Sequence, residues 1–268
     1  MKIFNFIFVN LIFSFNILLN NVNSIKMPNY VLYNKNNIVG DCSWVLDKSF
    51  INHYRYFSKH NIICHKDIMI FYNLNYKLPF SSYAIHSSQQ VNNLLGGRKT
   101  FINDPLIPNN KQHSPDDYIF KSPYSRGHLT PSHIMSYNKT DNGPWYQTYY
   151  ITNVLPQSLR LNEGQWELFE QNIINKLSSL NNTIWEIYTG GSWNPQISKN
   201  KFATEEYIFW KAICNRELCD SVLISAYTKP NNTIFWEISN INKYLTGYFS
   251  DCCSDKFIEN DWKNLLPI

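Results

Sequence analysis

Long apolar runs are scarce in this chain. One occupies residues 3–19, behind Lys2, and no later segment is apolar for long enough to cross a bilayer. Charge is sparse as well. Charged residues make up 16% of the 268, and the formal net charge of +4 is far from the dense cationic stripe of a tight nucleic-acid binder, although it permits a polyanionic partner. Cysteine is limited to six, at 42, 64, 214, 219, 252 and 253, and no pair has the two-residue gap of a zinc ribbon. There is no internal repeat and no base-reading motif, so any nucleic-acid contact is expected to run through the backbone with weak sequence preference.

What is present is apolar and aromatic material, 44% and 16% of the chain, enough for a sizeable core in one large domain. The stretch IFNFIFVNLIFSFNILL is broken by Asn5, Asn10, Ser14 and Asn16, and the following NNVNS ends at Ser24. This pattern reads as a signal peptide over 1–24, leaving 25–268 as a single domain that is secreted, extracellular and free of the membrane. The even number of cysteines then reads as a disulfide framework. Cys214 with Cys219, or Cys42 with Cys64, would close loops, but the adjacent Cys252 and Cys253 leave the pairing open. Asn138, Asn181 and Asn231 each begin a glycosylation triplet, as expected of an exported glycoprotein.

The β-branched and aromatic runs 67–75 and 80–86 predict a hairpin, with its turn at Tyr76–Pro79. Residues 96–124 carry Gly96, Gly97 and four prolines and predict a long irregular connection, a length that is uncommon unless functional. TYYITNVL (148–155) predicts a buried strand stopped by Pro156. Over 161–177, Trp166, Phe169, Ile173, Ile174 and Leu177 recur at spacings of three and four, which marks one face of a helix. Strand-like runs follow at 183–189, 206–213 and 221–228, then a final helix near 240–249. The sum is an α+β domain of antiparallel leaning, with the irregular segment and the helix enclosing a site.

In the SRGHLTPSH stretch, His128 follows the irregular segment. On the helix, Asn162, Trp166 and Glu170 are spaced by four and share one broad side, with Trp166 in the core beneath. Asn162 and Glu170 offer the hard oxygens that Mg²⁺ accepts, directly or through its waters. A histidine, a carboxamide, a carboxylate and an arginine such as Arg98 are the groups that metal-assisted phosphodiester hydrolysis needs. Each has a plainer role to compete with: a loop hydrogen bond for His128, a helix cap for Asn162, a solvated position for Glu170, a surface charge for Arg98. His133 falls outside the zinc-helix spacing, and the pairs Trp145–Tyr146 and Tyr149–Tyr150 suit either a core or base stacking.

Tyr124-SRGHLTP, followed by TNVLPQSLRLNEGQWELFE at 152–170, resembles the DNA/RNA non-specific endonucleases. Their pattern is Asp-Arg-Gly-His-x-x-Pro, then Thr/Ser-Asn-x-x-Pro-Gln and Asn-x-x-x-Trp-x-x-x-Glu. Arg126, Gly127, His128, Pro131, Thr152, Asn153, Pro156, Gln157, Asn162, Trp166 and Glu170 fit it. The resemblance implies a ββα-metal (His-Me finger) nuclease core within a mainly antiparallel sheet domain, cutting DNA and RNA with one Mg²⁺ or Mn²⁺. It also implies the roles. His128 matches the general base, Asn162 the protein ligand of the metal, and Glu170 a carboxylate acting on the metal's water shell. Arg98 matches an arginine that steadies the phosphate, Asn153 a support for the histidine and the metal's waters, and Gln157 and Trp166 structural positions.

The chain departs from the pattern at Ser125, where aspartate is usual. Serine exchanges hydrogen bonds but supplies no charge. The rival expectation is therefore an extracellular nucleic-acid-binding module impaired in catalysis by Ser125. A secreted structural domain without a nucleic-acid role stands third.

Overall fold

A computed structural model describes residues 38–45, 61–118, 124–192, 208–215, 218, 220–228, 234–239 and 263–267. In chain order the strands and helices are β1 (Ile38–Gly40), β2 (Asn61–Cys64), β3 (Ile68–Asn73), β4 (Leu78–Ser87), α1 (Ser88–Val91), β5 (Tyr124–His128), α2 (Pro144–Gln147), β6 (Val154–Ser158), α3 (Glu167–Ser178), β7 (Ile184–Ser192), β8 (Ile208–Asn215), β9 (Asp220–Thr228) and β10 (Ile234–Ser239). Among the described residues, eight strands form one sheet in the order β1-β2-β3-β4-β7-β8-β9-β10, antiparallel except for the β1–β2 pair. β5 and β6 form a separate antiparallel pair. The α+β, mainly antiparallel class expected from the sequence is the one observed.

β3 shows why the sheet is buried on both faces. Ile68, Ile70 and Tyr72 enter one apolar cluster, while Met69 and Phe71 enter a second, following the two-residue alternation of a strand. The first cluster lies under everything inserted between β4 and β7: Ile107, Leu129, Ile151, Val154, Trp166, Phe169 and Leu177 all belong to it. The irregular segment, the β5–β6 pair and α3 are thus stacked on one side of the sheet, and the site is assembled there. On the other side, Tyr83 and Tyr188 pack with Phe71, and the Cys42–Cys64 disulfide joins the residues after β1 to β2. Cys214 is disulfide-bonded too.

Three sequence boundaries move, each for a local reason. The β3–β4 turn falls at 74–77, before the expected Tyr76–Pro79, because Asn73 Oδ1 accepts from the backbone N–H groups of Asn75 and Tyr76 and Lys77 takes a left-handed φ of 57°. Pro79 lies inside β4 at a register irregularity, where a missing N–H is tolerated. The strand expected over 148–155 starts only at Val154, after a 3₁₀ turn at Ile151–Asn153, and it continues through Pro156. A two-stranded sheet leaves β6 an open edge for that proline. The single helix expected over 161–177 is a wide π-type turn, Leu161–Trp166, in which Gly164 departs from helical geometry (φ −128°, ψ −107°), followed by α3. The predicted apolar face is buried as expected at Trp166, Phe169, Ile173, Ile174 and Leu177. β10 has no counterpart among the expected strands, while the leader and the helix near 240–249 lie outside the described residues.

Candidate active site

The hairpin carrying His128 is shaped by its one glycine. Ser125, Gly127 and His128 of β5 face Gln157, Leu155 and Val154 of β6. A Cβ on Gly127 would come within 2.3 Å of Gln157 Oε1, so the close approach admits no side chain. Beyond the strand, Asn153 clamps the chain. Its Oδ1 accepts from the Thr130 N–H at 3.0 Å, and its Nδ2 donates to the carbonyls of Thr130 (2.9 Å) and Thr148 (3.0 Å). Its backbone carbonyl accepts from Leu129. With its carboxamide occupied in this way, Asn153 supports the residues after His128.

The irregular segment is latched beside that clamp by Asp104. The buried carboxylate accepts from Thr152 Oγ1 and from the Leu106 N–H, and it meets His65 Nε2 at 2.9 Å. Gln112 bonds the Asp104 backbone through both ends of its carboxamide. The latch delivers Phe101, whose ring lies 4.9 Å from the His128 ring, with Tyr149 edge-on at 5.2 Å on another side.

Between these rings His128 is held neutral. Burial, reinforced by the positive charges of Arg126 and Lys211, pushes its pKa down to about 4, and its Nε2 has no hydrogen-bond partner among the described residues. An unprotonated imidazole with one nitrogen uncommitted is the state a proton acceptor requires.

The helical side supplies the oxygens. Asn162 sits in the π-type turn and donates from Nδ2 to Ser125 Oγ at 2.8 Å. Ser125 passes the contact on to the Gln157 carbonyl at 3.4 Å. With Nδ2 so engaged, Asn162 Oδ1 is the atom left for a hard cation, and among the described residues the buried Gln157 carboxamide has neither end paired. The donor set thus fits a hydrated divalent ion held by one protein oxygen, the coordination Mg²⁺ accepts. Among the described residues no group of three His, Cys, Asp or Glu is gathered.

Glu170, on the first turn of α3, faces Lys211 of β8, with Oε1 3.0 Å from Nζ. Burial pushes the Glu170 carboxyl up and the Lys211 ammonium down, and each charge opposes the other's shift. Lys211 was missed by sequence reasoning. Its signal was a single charge in the middle of the apolar run YIFWKAI, residues 207–213.

The structure brings Ser125 to Asn162 and Glu170 to Lys211, and Asn153 to the turn after His128. It does not bring Arg98 to any of them: Arg98 is exposed, three residues before Phe101. Of the aromatic pairs, Tyr149 and Tyr150 are buried, whereas Trp145 and Tyr146 are half-buried with Lys139 and Lys99 over their rings. His133 is exposed.

Two antiparallel strands bearing the histidine, followed by a helix bearing the carboxylate, all laid on a mainly antiparallel sheet, define a ββα nuclease fold. The sequence profile of the DNA/RNA non-specific endonucleases matches residues 47–256, and the chain belongs to that family. Two curated relatives are the mitochondrial nuclease EXOG of Danio rerio, 25% identical over 148 residues, and that of Mus musculus, 25% identical over 149. Each match covers 50% of this chain, which spans only 41% and 39% of those proteins. Among solved structures, EndoG in complex with EndoGI superposes with a TM-score of 0.46 at 16% identity, covering 64% of this chain and 74% of that one.

The relatives overturn one expectation. The extracellular, secreted location read from the leader is contradicted by the mitochondrial nucleases it resembles. The physical reason is that an apolar segment behind one lysine reports a leader's hydropathy, whereas its destination is read by receptors.

Proposed function

We propose that this protein is a divalent-metal-dependent endonuclease, with residues 25–268 as its nuclease domain, that hydrolyses DNA and RNA phosphodiester bonds with little sequence preference. The observation that carries this reading is the neutral His128, Nε2 uncommitted, on the strand that also presents Ser125 to Asn162. His128 takes a proton at Nε2 from the attacking water. Phe101 and Tyr149 hold the imidazole plane and exclude bulk water from two of its sides. Asn162 would hold the cation, Mg²⁺ or Mn²⁺, with its carboxamide anchored through Nδ2 on Ser125 so that the oxygen is oriented. When bound, the cation supplies positive charge to the scissile phosphate and its departing oxygen. Glu170 would act on the cation's water shell, Asn153 fixes the turn behind His128, and Arg98, on its exposed segment, would reach the phosphate of a bound strand.

The Ser125–Asn162 hydrogen bond supports turnover over the impaired binding module: serine still anchors the carboxamide without adding charge. Plasmid DNA and RNA are digested with Mg²⁺, with EDTA and with the His128→Ala variant. Cleavage of both substrates, abolished by chelation and by the substitution, is the expected result. A folded wild-type protein that retards DNA without cutting it would establish the binding module, and one that does neither removes nucleic acid from its function.

A further inference from the structure

The face of the sheet beneath the site carries a polar row in an otherwise apolar layer. On β8, Phe209, Lys211 and Ile213 point toward α3 by the alternation of the strand, and Phe209 and Ile213 belong to the apolar cluster there. Across the strands, Lys211 stands opposite Thr189 of β7, which stands opposite Ser82 of β4. Each member of this row holds something above or beside it. Ser82 accepts from Thr130 Oγ1 at 2.8 Å, and Lys211 donates to Thr189 Oγ1 at 2.8 Å. Lys211 also donates to the Leu129 carbonyl at 3.4 Å and meets Glu170 Oε1 at 3.0 Å.

Lys211 is 1% exposed, and an ammonium so deeply buried is strongly unfavourable unless its donors are matched. Here Lys211 donates to two acceptors and pairs with one carboxylate, and two of these three belong to the site: the residue directly after His128, and the carboxylate of α3. As a packing element, a methionine of similar length would serve this position at least as well. We infer that Lys211 is a positioning residue for the reaction: its ammonium couples the His128 strand to Glu170 and fixes the carboxylate in register with the imidazole. This rests on the endonuclease reading above. The argument is geometric. Without Lys211, neither the Leu129 carbonyl nor the Glu170 carboxylate keeps its shared anchor.

The test compares wild type with Lys211→Met, Glu170→Gln and the double variant, measuring kcat and KM on plasmid DNA and a cooperative thermal melt for each. Lys211→Met is expected to lower kcat by about tenfold or more while KM stays within about twofold, as for loss of a group that orients an active residue. Introduced into Glu170→Gln, the same change should cost less than about twofold, because its partner is already gone. A Lys211→Met protein with wild-type kcat, or losses that multiply in the double variant, would overturn the inference. If Lys211→Met alone fails to fold because it strands a half-buried carboxylate, the double variant, which removes both charges, decides against Glu170→Gln: equal residual activity supports the coupling and a further loss sinks it. An inactive but folded wild type instead refutes the endonuclease reading, a different outcome from an active wild type indifferent to Lys211.

Discussion

His128 shows what a few neighbours do to one side chain. Imidazole ordinarily titrates near 6.5, but burial between aromatic rings beside Arg126 and Lys211 brings it to about 4. The acid limb of kcat/KM is accordingly expected near pH 4, with activity flat from neutrality down to about pH 5. A pH profile with its inflection at 6.5 would show that the ring is not desolvated in the working enzyme. Ser125 acts at the same scale through one hydrogen bond. Removing its hydroxyl in Ser125→Ala frees the Asn162 carboxamide to rotate, and the Mg²⁺ concentration for half-maximal activity should rise by about tenfold, the usual size of a lost outer-shell anchor. A metal titration unchanged by the substitution would mean that Asn162 is oriented by the turn alone.

The hairpin and its latch are the elements that make the site. Gly127→Ala would drive a methyl group into Gln157, and either β5 or β6 must shift, at a cost of about 1–3 kcal/mol. The expected readout is a lower denaturation midpoint together with a fall in kcat, since His128 is the next residue. Asp104→Ala strands three donors at once, Thr152, the Leu106 N–H and His65, and should cost about 3 kcal/mol or more. Phe101 would then lose its fixed place beside His128, so loss of stability should be accompanied by loss of activity. At this scale the sequence was a partial guide. Strong period-two and period-3.6 patterns located β3, β4, β7, β8, β9 and the buried face of α3 within a few residues. The π-type turn and the late start of β6 were illegible, because the first turns on the backbone angles that Gly164 adopts and the second on how the Asn153 clamp meets Thr130 and Thr148.

Across the molecule, two histidines held neutral, the buried His86 and the half-buried His128, tie stability to pH. His86, on β4, is pushed to about 3 by burial and by Lys211, and His128 to about 4. Both folded values lie below the ordinary 6.5, so folding favours the unprotonated ring. Their contribution is complete above about pH 6.5 and is lost progressively as pH falls through 4 and 3. Urea midpoints measured from pH 7 down to pH 3.5 should therefore fall steadily, and part of the slope should disappear in His86→Leu. A flat dependence would mean that both rings reach water on the folded protein.

The sequence by itself determined the class of fold, the core-facing residues and the family, because hydrophobic periodicity and the motifs around His128, Asn162 and Glu170 are local properties of the chain. It also supplied the correct candidate pairing of Cys42 with Cys64, without a means of choosing it. Only the tertiary structure decided that Ser125 anchors Asn162, that Asp104 latches the irregular segment, and that Lys211 joins the His128 strand to Glu170. Those contacts connect residues far apart in the chain, through hydrogen bonds and burial that exist only once β5, β6 and α3 have been laid against the sheet.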